Sequence, residues 1–102
     1  MDEYKIVRGS VNADGSIEAG SGFDVTHTAT GLYYIDFNPA FNSFPTIVVT
    51  QNYPSWDNST DTGSSLDNGV IYGLTKNRAL LKTGDQYGDA SDRNFCFIAI
   101  GA

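Results

Sequence analysis

The sequence predicts an all-β protein, a small antiparallel β-sandwich of six to eight strands with no helix longer than one turn. Three observations carry this prediction. Runs of β-branched and aromatic residues recur at roughly the spacing typical of sandwiches and barrels. The stretch of residues 31–51 holds two such runs around a Phe-x-x-Phe-Pro corner, and no helix fits it. The chain has 102 residues, the length of one domain, so residues 1–102 are expected to form a single sandwich.

The first half of the chain carries five strand signals. Asp14-Gly15 is a strong hairpin-turn signal after the first of them. Residues 23–28 alternate between apolar and polar side chains, as a half-buried antiparallel strand does. After the fourth strand we expect Phe41 and Phe44 to close one end of the sandwich. The predicted strands in this half are residues 4–11, 16–19, 23–28, 32–37 and 46–51.

The second half alternates long polar segments with strand signals. Residues 52–68 are polar and have no period, and a loop this long in a compact domain is usually functional or disordered. A hairpin of residues 70–75 and 79–83 is predicted around Lys76-Asn77-Arg78. A second polar loop, residues 84–93, precedes a final strand at residues 94–101.

Charge and composition exclude several classes of partner. Twelve acidic and six basic residues give a net charge of −6, which argues against nucleic acid, whose affinity comes mainly from Lys and Arg on phosphates. It argues equally against anionic membranes, and no apolar run approaches the ~18 residues of a spanning helix. The N-terminal residues lack a signal-peptide pattern. Cys96 is the one cysteine, so neither an intrachain disulfide nor a cysteine-rich zinc site is expected.

The last predicted strand is apolar on both of its faces. Phe95, Phe97 and Ala99 face one way, and Cys96, Ile98 and Ile100 face the other. A strand in a two-sheet sandwich normally has one wet, polar face, so the second apolar face needs a cover. A partner subunit is the simplest one, and the segment 47–49 has the same character. We therefore expect an oligomer with Ile98, Ile100 and residues 47–49 near its axis. Cover by loops or by the N-terminal segment, or closure into a small barrel, remain alternatives.

Residues 32–49 resemble the H-type lectin family. The resemblance lies in an aromatic alternating strand (Ile35-Asp36-Phe37), a following Phe41, Pro45, and a β-branched strand (Ile47-Val48-Val49). The polar loop, hairpin, second polar loop and final apolar strand follow in the family's order. The resemblance implies an antiparallel β-sandwich that packs as a parallel homotrimer. It also implies binding of simple sugars near the subunit boundaries at one end.

The chain departs from that family at several positions. Phe44-Pro45 stands in place of a double proline, the last strand lacks a tryptophan, and Asp67-Asn68-Gly69 occupies the place of a positively charged sugar-binding residue. Residues 30–34 are similar to a strand of C1q-like trimeric jelly rolls, and residues 20–25 look like segments of phage and contractile-particle fibre tips. These resemblances imply an extracellular or particle-surface location. A stand-alone lectin and the C-terminal domain of a fibre both remain open.

The second polar loop supplies the main candidate ligand-binding residues. Asp85, Asp89 and Arg93 offer hydrogen-bonding groups for vicinal hydroxyls, and the Tyr87 ring can stack on the apolar face of a sugar. The same residue types also build ordinary solvated loops with Asx-turns. If the loop binds a glycan, that binding would attach the protein to a cell-surface receptor.

Trp56 and Asp57 of the first polar loop are candidate ligand-binding residues for the same chemical reason. A lone tryptophan in a polar loop suits a sugar-stacking platform, although it also suits a ring that folds back to pin its own loop. We expect both loops to lie at the same end of the sandwich, and these two residues to join the second loop across a subunit boundary.

No enzyme is expected from these residues. His27 is the one histidine; it lies on the apolar side of its strand, where a packed, hydrogen-bonded structural role is favoured, so no Ser-His-Asp unit can be nominated. No cofactor is required, although Asp85, Asp89 and Asp92 are weak candidates for calcium; their spacing differs from an EF-hand loop. The leading function is a multivalent, carbohydrate-binding recognition domain. The alternatives are a structural trimeric cap of a fibre and, more weakly, a small glycan hydrolase.

Overall fold

Eight strands form two four-stranded antiparallel sheets, which pack as a β-sandwich. The computed structural model describes residues 3–52, 56 and 63–102. Sheet A has the strand order β2-β1-β8-β5, and sheet B has the order β3-β4-β7-β6. The strands are β1 (Lys5–Val11), β2 (Ile17–Gly20), β3 (Phe23–Ala29), β4 (Leu32–Phe37), β5 (Thr46–Asn52), β6 (Gly69–Leu74), β7 (Arg78–Thr83) and β8 (Asn94–Gly101).

The predicted all-β class and sandwich architecture are confirmed. The observed strands coincide with the eight predicted ones, with bounds that differ by at most one residue, and the described residues contain no helix. It follows that none of them forms a helix long and apolar enough to cross a membrane. The eight observed strands fall within the predicted range of six to eight, and the strand signals in the sequence predicted their positions.

Four connections leave the sandwich at the same end, called the loop end below. Antiparallel register brings the end of β1 next to the start of β8 (Val11 opposite Phe95), and the end of β5 next to the same start. In sheet B the end of β7 lies beside the starts of β4 and β6. The Tyr33 hydroxyl donates to the Ala13 carbonyl across the sheets at 2.6 Å. Both polar loops therefore start at the loop end, as expected.

The opposite end holds the β4–β5 corner, the β6–β7 turn, the start of β1 and the end of β8. The amides of Phe37 and Phe41 donate to the carbonyls of Asn77 and Lys76, which joins the corner to the turn. Phe41 is buried and closes this end, as predicted. The same prediction for Phe44 is wrong, because its side chain is 65% exposed. The buried Pro45 and Phe41 fill the available space, and Phe44 lies on the surface outside sheet A.

The core is built around aromatic side chains from facing sheets. Phe97 of sheet A meets Phe23 of sheet B edge to face, with ring centroids 4.9 Å apart. Phe95 and Tyr33 form a second pair at 5.0 Å. Residue 9 lies directly beneath the first pair. It is a glycine because the two rings occupy the volume that a side chain there would need. The remaining buried apolar residues surround these pairs: Val7, Val11, Ile35, Phe37, Phe41, Ala79, Leu81 and Ala99.

Gly9→Ala is expected to destabilise the fold by about 1–3 kcal/mol, the usual cost of overpacking a core. A Cβ at this position would stand 2.7 Å from the Cε1 atoms of both Phe23 and Phe97. Urea unfolding measures the change. Ser10→Ala, at the next residue and on the outer side of the same strand, is the matched control; equal midpoints for the two variants would contradict the packing argument.

Candidate functional site

The tip of the β7–β8 loop is a closed turn organised by Asp85. Its Oδ1 accepts hydrogen bonds from the amides of Tyr87 at 2.9 Å and Asp89 at 3.0 Å. The Asp85 amide donates to the Asp89 carbonyl, and the Gly88 amide donates to the Asp85 carbonyl. Gly88 has a φ of 82°, a left-handed conformation that glycine adopts without strain. The turn therefore has a fixed shape, and one carboxylate oxygen of Asp85 is occupied by the hydrogen bonds that stabilise it.

Tyr87 lies on the outside of that turn, and its side chain is 80% exposed. Beside the turn is a cavity of about 180 Å³ between the start of β6 and the end of β7. It combines apolar side chains with an amide, an ammonium group and a carboxylate. Its lining residues are Leu66, Asn68, Val70, Lys82, Thr83, Gly84, Asp85 and Gly88. An exposed aromatic residue on a turn that borders a small, mainly apolar cavity with a few polar groups is suited to hold a polyhydroxylated ring.

Arg93 lies further inside the loop end than the other candidates. Its side chain is 14% exposed, and its Nη1 is 3.7 Å from Oδ2 of Asp67, whose side chain is 7% exposed. The Arg93 Nε also donates to the Ser91 hydroxyl at 3.3 Å. Asp67 Oδ2 accepts the Ser64 amide. This ion pair joins the segment before β6 to the segment before β8, which is a positioning role for Arg93.

Trp56 is half-buried against the β1–β2 turn. Its indole Nε1 donates to Oδ1 of Asn12 at 2.8 Å. Asn12 in turn donates through Nδ2 to the Ser16 hydroxyl. The contact with Asn12 fixes Trp56 to the β1–β2 turn; Tyr53 and Pro54, onto which the ring would fold in the alternative interpretation, lie outside the described residues. Asp57, the other candidate of the first loop, lies outside the described residues.

His27 has the packed structural role expected for it. Its ring stacks on Tyr33 with centroids 4.7 Å apart, and its Nε2 is 2.8 Å from Oδ1 of Asp92. The same Asp92 oxygen accepts the Gly31 amide at 2.7 Å. Asp92 thus ties the end of the β7–β8 loop to the β3–β4 turn. Burial of the Tyr33 phenol raises its pKa from 10.0 to about 12, and the negative charge of Asp92 adds to that shift.

The three carboxylates predicted as weak calcium candidates lie in different parts of the loop end and make different contacts. Asp85 holds the loop tip, Asp92 holds the β3–β4 turn, and Asp89 is exposed. Within the described part of the chain, no three Asp, Glu, His or Cys side chains come together as a metal site would need. The candidate site is accordingly a surface of neutral and charged hydrogen-bonding groups around Tyr87.

Comparison with known proteins found no relative of this chain. No family model matches the chain, and neither the curated proteins nor the solved structures include a match.

Sequence reasoning found part of this surface and missed part. It named Asp85, Tyr87 and Asp89, which form the loop tip. It missed Leu66, Asn68 and Lys82, which line the adjacent cavity. The signal for Lys82 was available, because it is the last outward-facing residue of β7 before the loop. Leu66 and Asn68 lie in a segment without a period, so nothing in the pattern indicated which way they face.

Asp85→Ala is expected to loosen the loop tip, because the amides of Tyr87 and Asp89 lose their shared acceptor. Loss of about 1.4 kcal/mol of local protection corresponds to about tenfold faster amide hydrogen exchange. Nuclear magnetic resonance reads the exchange of these two amides directly. Asp85→Asn keeps an oxygen acceptor and should exchange like the parent. Unchanged exchange in the alanine variant would show that other contacts hold the turn.

The raised pKa of Tyr33 predicts a loss of stability in alkaline solution. The unfolded chain loses this phenolic proton near pH 10.0, whereas the folded protein keeps it until about pH 12. The free energy of unfolding should therefore fall as pH rises through that window. Denaturant unfolding across the window should show a smaller fall for Tyr33→Phe than for the parent. Tyr87→Phe, at an exposed position, is the control, and an identical slope for all three proteins would refute the assignment.

Proposed function

We propose that this protein is a non-enzymatic recognition domain that binds carbohydrate at its loop end. One observation carries the proposal: Tyr87 stands exposed on a rigid turn whose Asp85 and Gly88 line the same cavity as Leu66, Asn68 and Lys82. A rigid aromatic side chain presents contact area at little entropic cost. The hydrogen-bonding groups beside it match the alternating donors and acceptors of sugar hydroxyls.

The proposed contacts divide a sugar ring between apolar and polar groups. The Tyr87 ring covers the C–H face of the sugar, while Leu66 and Val70 supply the apolar wall of the cavity. The Asn68 amide both donates and accepts, the Lys82 ammonium donates, and the Asp85 carboxylate accepts. Lys82 supplies a positive group at this surface, although the sequence has Asp67-Asn68-Gly69 where the resemblance led us to expect one. The sugar class is accordingly a neutral or acidic saccharide.

Display in several copies would strengthen this binding. A cavity of about 180 Å³ is smaller than the ~300–1,000 Å³ of typical ligand pockets, so one site holds only a small part of a glycan. Several sites facing one surface raise the effective concentration after the first contact. The homotrimer expected from the sequence would supply that display, and attachment to receptor glycans outside the cell or on a particle surface is the corresponding role.

A structural cap is the second candidate function. It is favoured by the use of Asp85 Oδ1, Arg93 and Asp92 in contacts within the protein. These groups fix the loops, and a cap needs fixed loops as much as a receptor does. The two functions differ in one respect: a cap has no use for the exposed Tyr87.

Tyr87→Ala should abolish glycan binding and leave the melting temperature nearly unchanged, because the side chain contributes to the surface and not to the core. A glycan array probed with the purified protein measures binding. Attachment through either terminus leaves the loop end free, since β1 begins and β8 ends at the opposite end. Tyr72→Ala, a half-exposed tyrosine of β6, is the matched control. An array that stays blank for the parent favours the structural cap.

A further inference from the structure

The outer face of sheet A carries a contiguous apolar patch that is flanked by the polar side chains of Arg8, Ser10, Thr46 and Thr50. Successive side chains of each strand point alternately to the core and to solvent, so each strand has one core-facing row and one solvent-facing row of side chains. In the solvent-facing row Ile6 lies opposite Ile100, and Ile98 lies opposite Val48. Two aromatic residues beside the strand ends extend the surface. The apolar face consists of Tyr4, Ile6, Phe44, Val48, Ile98 and Ile100, whose exposed fractions run from 41% to 74%.

The outer face of sheet B has a different chemistry. Its central strands carry an ion pair between Arg78 and Asp36, with Nε and Oδ1 2.6 Å apart. The Arg78 guanidinium also lies over the Tyr34 ring at 4.5 Å, and Lys82 and Thr26 are exposed on the same side. The centre of sheet B's outer face is thus charged, with the half-exposed Val70 and Tyr72 on its edge strand, whereas the centre of sheet A's outer face is apolar. A contiguous exposed apolar surface of this kind marks an interaction site.

The apolar face has a ridge between two depressions. Val48 and Ile98 are register partners on β5 and β8, and both line each depression. One depression, of about 450 Å³, extends over Cys96 towards Ile6. The other, of about 440 Å³, extends over Ile100 towards Phe44. A ridge flanked by depressions of nearly equal volume is a shape that can pack against a copy of itself.

We infer that the partner on this face is another copy of the same chain. Self-association of an isologous kind requires a patch that complements itself, and a ridge with a depression on either side does so. The ridge of one copy can enter a depression of the next while its own depression receives the partner's ridge. A partner of different sequence would need no such internal match of ridge and depression.

The charge distribution supports the same partner. Two copies of a chain with a net charge of −6 repel each other unless their acidic groups stay apart. No Asp or Glu is among the described residues that line the two depressions, and Arg8 is the one charged side chain there. Contact through this face therefore brings no carboxylate side chain of one copy against a carboxylate side chain lining the other.

This interface is independent of the proposed sugar site. Tyr87 lies at the loop end, whereas the apolar face lies on the side of sheet A, so association leaves the ring accessible. The interface also departs from the expectation from sequence, because an isologous contact pairs two copies, whereas a homotrimer needs a heterologous contact. Within the segment 47–49, Val48 alone faces outwards; Ile47 and Val49 pack against the core. The association surface gains Tyr4, Ile6 and Phe44 instead.

Val48→Asp in the full chain tests the inference, with Val70→Asp as the matched control. Both valines lie on edge strands and face solvent in the single chain, one on sheet A and one on sheet B. Light scattering at micromolar concentration should give the parent and Val70→Asp a mass of at least twice 11.0 kDa. Val48→Asp should give the mass of a single folded chain, because an interface cannot bury an unpaired carboxylate at its centre.

A second variant tests whether the dissociation expected for Val48→Asp comes from the lost contact and not from misfolding. Ile98→Thr keeps a β-branched side chain on the ridge and should lower the association constant at least tenfold, with unchanged circular dichroism. A monomeric parent overturns the inference, as does equal dissociation of the Val48 and Val70 variants. Either result leaves glycan binding by Tyr87 untested, so failure of this interface and failure of the proposed function are separate outcomes.

Discussion

Contacts between aromatic rings of facing sheets hold this sandwich together. Phe97 and Phe95 of β8 meet Phe23 and Tyr33 of sheet B, and Phe41 of the β4–β5 corner meets Phe37. The lone Cys96 is free, so packing is the source of cohesion between the sheets. Such ring pairs contribute about 0.5–1.5 kcal/mol each beyond the area they bury. The central position of β8 follows from this role, because it supplies two of the three contacts.

A layer of hydrogen bonds closes the loop end above those rings. The Gln51 side chain exchanges two hydrogen bonds with the backbone of Gly84. The side-chain Oδ1 of Asn94 accepts the Ala13 amide, and the Thr83 hydroxyl donates to the Ser91 carbonyl. Each of these bonds fixes a loop to a strand or to another loop. Most of the polar side chains that a sequence pattern would assign to a ligand are thus used to order the backbone. A preordered loop loses less entropy on binding, so this use favours recognition by the side chains that remain exposed.

The elements that follow from local rules were predictable, and the contacts between distant residues were not. Alternation along residues 94–101 predicted which side chains of β8 face the core, and the position of Phe41 followed from the corner it occupies. Phe44 was misplaced because two aromatic residues three apart compete for one end of the core, and only the packed structure decides between them. The pairing of Arg93 with Asp67 and of Trp56 with Asn12 joins residues of separate loops. Spacing in the sequence carries no information about such pairs.

The strand that fills the core also determines the outer surface. Because β8 is central in sheet A, its outward residues Ile98 and Ile100 lie in the middle of that face, with β1 and β5 on either side. An apolar central strand between polar neighbours would expose a narrow stripe that solvent tolerates. Here Ile6 and Val48 on the flanking strands widen the stripe into a surface, and Tyr4 and Phe44 extend it. Selection for core packing alone would leave those four positions free to be polar. Their apolar character is therefore an independent argument for the proposed contact with the same face of another copy.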